Sequence, residues 1–240
     1  MGASTSVSSV TPISALSTSS ASATTRTSYV SAGAFPSSPM PPIRMPTPAG
    51  TLPVSRKNSK IVGYFADFST SENHLNVDIN LNDENATCEW HLASLSSNKD
   101  NKDIAVSIYH NHPLTFGRID NYGVCKDNGR LVFSGTSHIV KGCHQSKSHQ
   151  NAKILVFDEG CIAKAKPVLK IDENDIEASH AASVGKVSDE HIFYLTSRGL
   201  TNEEAKMLIT LGYLKPILKG FDASIQGEID QLIERRLANV

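Results

Sequence analysis

From Ile61 to about Ile176 the chain reads as short strands separated by turns, and no helical period of useful length appears before Ser188. Leu75, Val77, Ile79 and Leu81 alternate, as do Ile104, Val106 and Ile108, which is the period of a half-buried strand. Arg130 to Phe133, Lys153 to Phe157 and Val168 to Ile171 are further short β-rich runs. Turn residues separate them: Asp83-Glu84-Asn85, Ser97 to Asn101, Asp127-Asn128-Gly129 and Asp158-Glu159-Gly160. Many short strands with no helix between them can close only as a sandwich, a barrel or a β-helix. Cys125, Cys143 and Cys161 are evenly spaced, the kind of ladder a β-helix stacks. The flanking apolar positions do not keep that register, so the spacing taken alone reads as coincidence.

After Gly185 the pattern changes. Ser188 is placed to cap a helix whose first turn carries Asp189 and Glu190, where the helix dipole favours negative charge. Gly199 is suited to end it. Thr201 and Glu204 have the spacing of a capping box opening a second helix toward Leu214, with Pro216 expected to kink or restart it. A third helix is expected from near Asp222, with Ile225, Ile229, Leu232 and Ile233 on one stripe.

Composition divides the chain. Residues 1–60 hold 23 Ser or Thr and eight of the eleven Pro, and no Asp, Glu, His or Cys. Such a segment has too little apolar surface to offset the entropy of ordering it, and is expected to be a disordered or transit-like extension. Residues 61–240, about one domain by size, carry 18 basic and 24 acidic side chains. An acidic body argues against a nucleic-acid partner, and no run of apolar residues suits a membrane span. The four cysteines form no C-x-x-C pair and are expected to be reduced. No G-x-x-x-x-G-K-[ST] phosphate loop and no triad-like order of nucleophile and base is present.

The stretch from Gly123 to Gly212 carries an ordered set of further features. These are Gly129-Arg130-Leu131-Val132-Phe133-Ser134-Gly135, Gln150-Asn151 before Ile154-Leu155-Val156, Ala165-Lys166-Pro167, and Asp175. Ala178-Ser179-His180, Gly185, Asp189-Glu190, Phe193-Tyr194-Leu195, Ser197-Arg198-Gly199, Glu204-Ala205 and Gly212 continue it. Over about ninety residues the pattern resembles the SufB/SufD family of iron-sulfur cluster assembly scaffolds, and SufD more than SufB, because Ala181 rather than an acid follows His180. The resemblance departs at Ala178, where SufD-like chains often have Cys, at Ala181 in place of Gly, and in lacking the family's helical N-terminal domain.

The resemblance implies a right-handed parallel β-helix over 61–176 and a small helical subdomain over 177–240. It implies a scaffold without catalytic turnover, pairing with a SufB-like subunit and docking a SufC-like ATPase that hydrolyses ATP, for delivery to iron-sulfur apo-proteins. His180, carried on a small-residue turn at the strand-to-helix corner, would hold transient iron or nascent cluster at the subunit junction, a role suited to a neutral imidazole. Phe193, Tyr194, Arg198, Met207, Leu211 and Leu214 are the expected ATPase contacts. The implied location is the cytoplasm, or the plastid stroma if 1–60 is a transit peptide. From the residues alone, His180 also reads as an ordinary hydrogen-bonded corner histidine. Two other functions stay open: a small metal-dependent β-barrel enzyme using His110, His112 and a third ligand such as His144, and a β-helix binding module with no metal role.

Overall fold

The computed structural model describes residues 5–8, 24–32, 49–70 and 72–237. Twelve strands precede three helices: β1 (Thr5–Ser8), β2 (Thr24–Ala32), β3 (Ala49–Val54), β4 (Lys60–Phe68), β5 (Glu72–Leu81), β6 (Thr87–Ser96), β7 (Asn101–His110), β8 (Phe116–Cys125), β9 (Arg130–Ile139), β10 (Ser146–Val156), β11 (Ile162–Ile171) and β12 (Ile176–Lys186). Then come α1 (Asp189–Thr196), α2 (Asn202–Leu218) and α3 (Ala223–Leu237). Even-numbered strands, with β1 at one edge, make a seven-stranded sheet ending at β12; β3, β5, β7, β9 and β11 make a five-stranded one ending at β11. Every pairing is parallel. Successive strands thus alternate between two facing sheets, which is a parallel β-helix.

One column of register partners runs Ile61, Cys88, Gly117, Ser148, Ala178. Each step along that column is one coil. The even cysteine spacing is much shorter than any of these steps, so it is not the repeat of the solenoid. The corners hold left-handed residues at matching places: Asn58, Asn85, Leu114 and Gln145 in one, Asn98 and Asp127 in the other, with φ between 53° and 62°. Asn and Asp tolerate that conformation and bond along the stack. Asn85 Nδ2 donates to Asn58 Oδ1 at 2.8 Å, and the Asp127 amide to Asp158 Oδ2 at 2.7 Å.

Most of residues 1–60, where the extension was expected, lies outside the described residues. Within it, β2 pairs with β4 and β3 with β5, and Leu52 and Val54 enter the interior cluster with Ile79 and Leu81. The solenoid thus reaches back past Lys60, because two alternate apolar residues stand at the right register.

Two apolar clusters hold the molecule. One fills the solenoid interior, with Trp90, Ile104, Ile108 and Phe133 fully buried and the Trp90 ring stacked on Phe65 at 3.7 Å. The other joins the outer face of the larger sheet, at Ala66, Ala93 and Val124, to Leu214, Ile217, Ile229 and Ile233 of α2 and α3. A buried ion pair adds to this seat: Arg236 in the last turn of α3 reaches Asp100. Ser188 and the Thr201/Glu204 box cap α1 and α2 as expected, and Gly199 takes φ +97°. Pro216 does not break α2, which continues to Leu218. Its missing N–H deprives only the exposed Gly212 carbonyl, which water can serve.

The segment around His180 is a correction. Ile176–Lys186 forms a full strand, not a small-residue turn. Residue by residue it pairs with β10, from Ser146↔Ile176 to Val156↔Lys186, and that ladder outweighs the weak strand preference of Ala, Ser and Gly.

Candidate functional site

The terminal coil, β11 and β12, is the open end of the solenoid. His180 lies opposite Gln150, which lies opposite Ile119, which lies opposite Trp90. Register partners in stacked parallel strands share a side-chain phase, so His180 heads an inward-facing column. Trp90, Ile119 and Gln150 are buried, whereas His180 is exposed because no coil follows. The imidazole stands at the mouth of the interior and is not sealed beneath it.

Polar groups form the floor under that mouth. Gln150 Nε2 donates to Ser137 Oγ at 2.7 Å and to the Val168 carbonyl at 3.0 Å, tying the two sheets together. Ser148 donates to Ser137 Oγ at 2.7 Å. Gln150 Oε1 packs against Gly135, where a Cβ would come within 2.8 Å of it. The walls are small: Ala163, Ala165, Ala178 and Ala182 share the inward phase. Ile171 and Val184, of the inward phase, are exposed apolar side chains at the rim, and Ile162 and Val168 are exposed on the outer face of β11. Outside the strand, Glu177 pairs with Lys147 at 2.9 Å, and that ammonium holds its carboxyl below the usual carboxylate range.

On the helices, Phe193 and Tyr194 are 72% and 56% exposed, and the Arg198 guanidinium stacks 3.8 Å from the Tyr194 ring. Beside them an open apolar groove of about 300 Å3 runs between α1 and α2, lined by His191, Tyr194, Leu195, Leu208, Ile209 and Gly212. Met207 and Leu211 are half-buried against the helix seat. Leu214 is fully buried there, so it secures α2 to the sheet and offers nothing to a partner. Leu208, exposed at the groove, was missed: α2 carries apolar residues on every side, so no stripe separates its two faces.

The histidine pair of the rival metal reading is split by the strand end. His110 closes β7 facing inward, fully buried, with Nδ1 2.8 Å from Thr115 Oγ1, and burial pushes its pKa down to about 4. His112 and His144 lie exposed in turns. Among the described residues no three His, Cys, Asp or Glu side chains converge on a common point for a metal. Cys88, Cys125 and Cys143 are buried and Cys161 half-buried. Burial raises the pKa of every thiol, Cys88 to about 12, as befits protonated groups packed as small apolar side chains.

Comparison with known proteins bears on this geometry. Residues 53–213 match the SUF system FeS cluster assembly, SufBD core domain. The iron-sulfur cluster assembly protein SufD of Bacillus subtilis is 35% identical over 132 residues, 55% of this chain and 30% of that protein. A SufBD family iron-sulfur cluster assembly protein of Mycobacterium tuberculosis is 30% identical over 154 residues, 64% of this chain and 18% of its own length. The aligned part of the chain thus spans less than a third of these relatives. Among the described residues no helix is long and apolar enough to cross a membrane. The matched stretch begins within β3, contains β4 to β12 with His180, and ends within α2: the chain belongs to the SufBD family of iron-sulfur cluster assembly proteins.

Proposed function

We propose that this chain is a SufD-like scaffold subunit, with no turnover of its own, that joins a SufB-like subunit through its terminal coil. A SufC-like ATPase docks on the helices, at the groove beside Phe193, Tyr194 and Leu208. Iron or a nascent cluster is the cargo, held at the junction by His180 and by thiolate supplied from the partner before transfer to apo-proteins. The observation that carries this reading is the exposed imidazole on the last inward column of an unstacked coil. A single neutral imidazole among thiolates is a competent iron ligand and a weaker one than thiolate, which suits release. Cys88, Cys125 and Cys143 are buried, which supports placing the sulfur ligands on the partner side of the junction.

The test is His180→Ala in the assembled complex. Cluster formation, followed by visible absorbance after supply of iron and sulfide, should fall to background while the subunits still co-elute. Unchanged cluster yield in that variant would refute the role of His180. Failure of the wild-type chain to form a ternary complex would remove the scaffold reading.

A further inference from the structure

Cys125 and Cys161 meet at one inner corner of the solenoid. Cys125 is the last residue of β8 and belongs to the interior cluster, and Cys161, just ahead of β11, packs against that same cluster. Both thiols face the turn 127–129: Cys125 Sγ donates to the Gly129 carbonyl at 3.0 Å and Cys161 Sγ to the Asp127 carbonyl at 3.7 Å. The Ile162 amide also reaches the Gly129 carbonyl, at 2.9 Å, which fastens the strand after Cys161 to the turn after Cys125. Gly160 permits this closeness, because a Cβ there would strike the Asn128 side chain and come within 2.7 Å of the Asp127 carbonyl. The two thiols are hydrogen-bonded to each other. Among the described residues, Cys88 and Cys143 each neighbour a carboxylate, Glu89 and Glu173, and no second thiol.

The surroundings accept two states of this pair and resist a third. Burial raises both thiols, and the nearby carboxylates, Asp100 at Cys125 and Asp127 and Asp158 at Cys161, act in the same sense. Negative charge on either sulfur is therefore penalised. A dithiol and a disulfide both carry none, and S–H is so weak a donor that its loss leaves the two carbonyls little poorer. Access is unequal: Cys125 is fully buried, whereas Cys161 is half-buried beside the exposed Glu159 and Gly160.

We propose that Cys125 and Cys161 form a reversible redox pair, closed to a disulfide by a small disulfide of the glutathione class. The pairing does not depend on the scaffold reading above. Cys161 gives its proton to solvent and attacks one sulfur of the reagent; the reagent's S–S bond breaks, and its first half leaves as a thiolate that takes up a proton. Cys125 then loses its proton and attacks Cys161 Sγ, expelling the second half as a thiol. Two electrons pass from the pair to the reagent, and two protons end on the two released thiols. The new bond ties the end of β8 to the start of β11, so it locks the terminal coil to the coil beneath it.

The test is oxidation of the folded full chain, alone in solution, by excess oxidised glutathione. Two of the four thiols should disappear, a single Cys125–Cys161 link should appear in peptide mass spectra, and dithiothreitol should restore both. The rate should rise about tenfold per pH unit below the thiol range, as the thiolate fraction does. Thermal melting of the linked chain should move up by about 5 °C or more. Cys125→Ala should stop at a glutathione adduct on Cys161, and Cys161→Ala should leave Cys125 unmodified. Four surviving thiols, a lasting adduct on wild-type Cys161, a link between any other pair, or a link that forms only in urea overturns the redox pair. The wild-type mass spectra decide this even where a variant fails to fold. A linked chain that melts at the same temperature as the reduced one overturns the lock.

Discussion

β7, inside the solenoid, and β11, at its end, share one sequence period and differ only in what is stacked on them. In β7 every second residue from Lys102 to His110 is buried, and the alternate residues are half-buried by their neighbours. In β11 the same alternation persists one step more exposed from Ile162 to Lys170, half-buried inside and open outside. Ile154 and Val184 make the point within one column: they are register partners, yet Ile154 is 1% exposed and Val184 46%. Apolar alternation builds a coil; the next coil seals it. A terminal coil that retains the pattern without a seal is an unfinished surface, and its exposed Ile171 and Val184 mark it so.

The largest expected effect tests the sealed side. Ile154→Ala removes a buried side chain packed between sheets and should lower unfolding free energy by about 2–5 kcal/mol, read from urea or guanidinium melts. A loss below about 1 kcal/mol would mean that the interior adjusts as freely as the mouth, and the contrast between the coils would collapse.

A second test uses pH. His110, in the sealed interior, has its pKa held down to about 4 against an ordinary 6.5, because burial disfavours the imidazolium. Between these values the unfolded chain binds a proton that the folded chain does not, so stability is full above about 6.5 and falls as pH drops toward 4. The loss should be on the order of 3 kcal/mol, and His110→Gln should flatten the profile across that window. A profile equally steep in the variant would place the titrating group elsewhere.

How much of this was legible in the sequence depended on whether a signal was local. The strands at Leu75–Leu81 and Ile104–Ile108, the Thr201/Glu204 box and the Gly199 terminus were readable because each needs only neighbouring residues. His110 was readable too, as the next inward position after Ile104, Val106 and Ile108, but the H-x-H spelling distracted from that period. β12 was not legible, since its Ala, Ser and Gly residues lack apolar alternation and are strand only because β10 supplies the ladder. The coil length was hidden because the step from Ile61 to Cys88 is shorter than the step from Gly117 to Ser148, leaving no fixed repeat to detect. That His180 is functional was suggested by a family resemblance; that it is exposed while facing inward follows from being on the last coil, which no local pattern reveals.

The smallest expected effect falls on the open side and makes the contrast sharpest. Val184→Ala deletes methyl groups in the same column as Ile154, one coil further on. Nearly half of that side chain already meets water, so little transfer energy is lost and no closed cavity forms. Stability of the isolated chain should change by about 0.5 kcal/mol or less, within error of wild type in the same melts. In the proposed complex a partner coil covers the mouth, and the same methyl groups become interior. The variant should then dissociate faster from a SufB-type subunit than wild type does, by a few-fold, as expected for about 1 kcal/mol of buried apolar surface. Equal and small effects in both states would mean that nothing stacks on the terminal coil, whereas a large loss in the isolated chain would mean that the coil is already sealed from within.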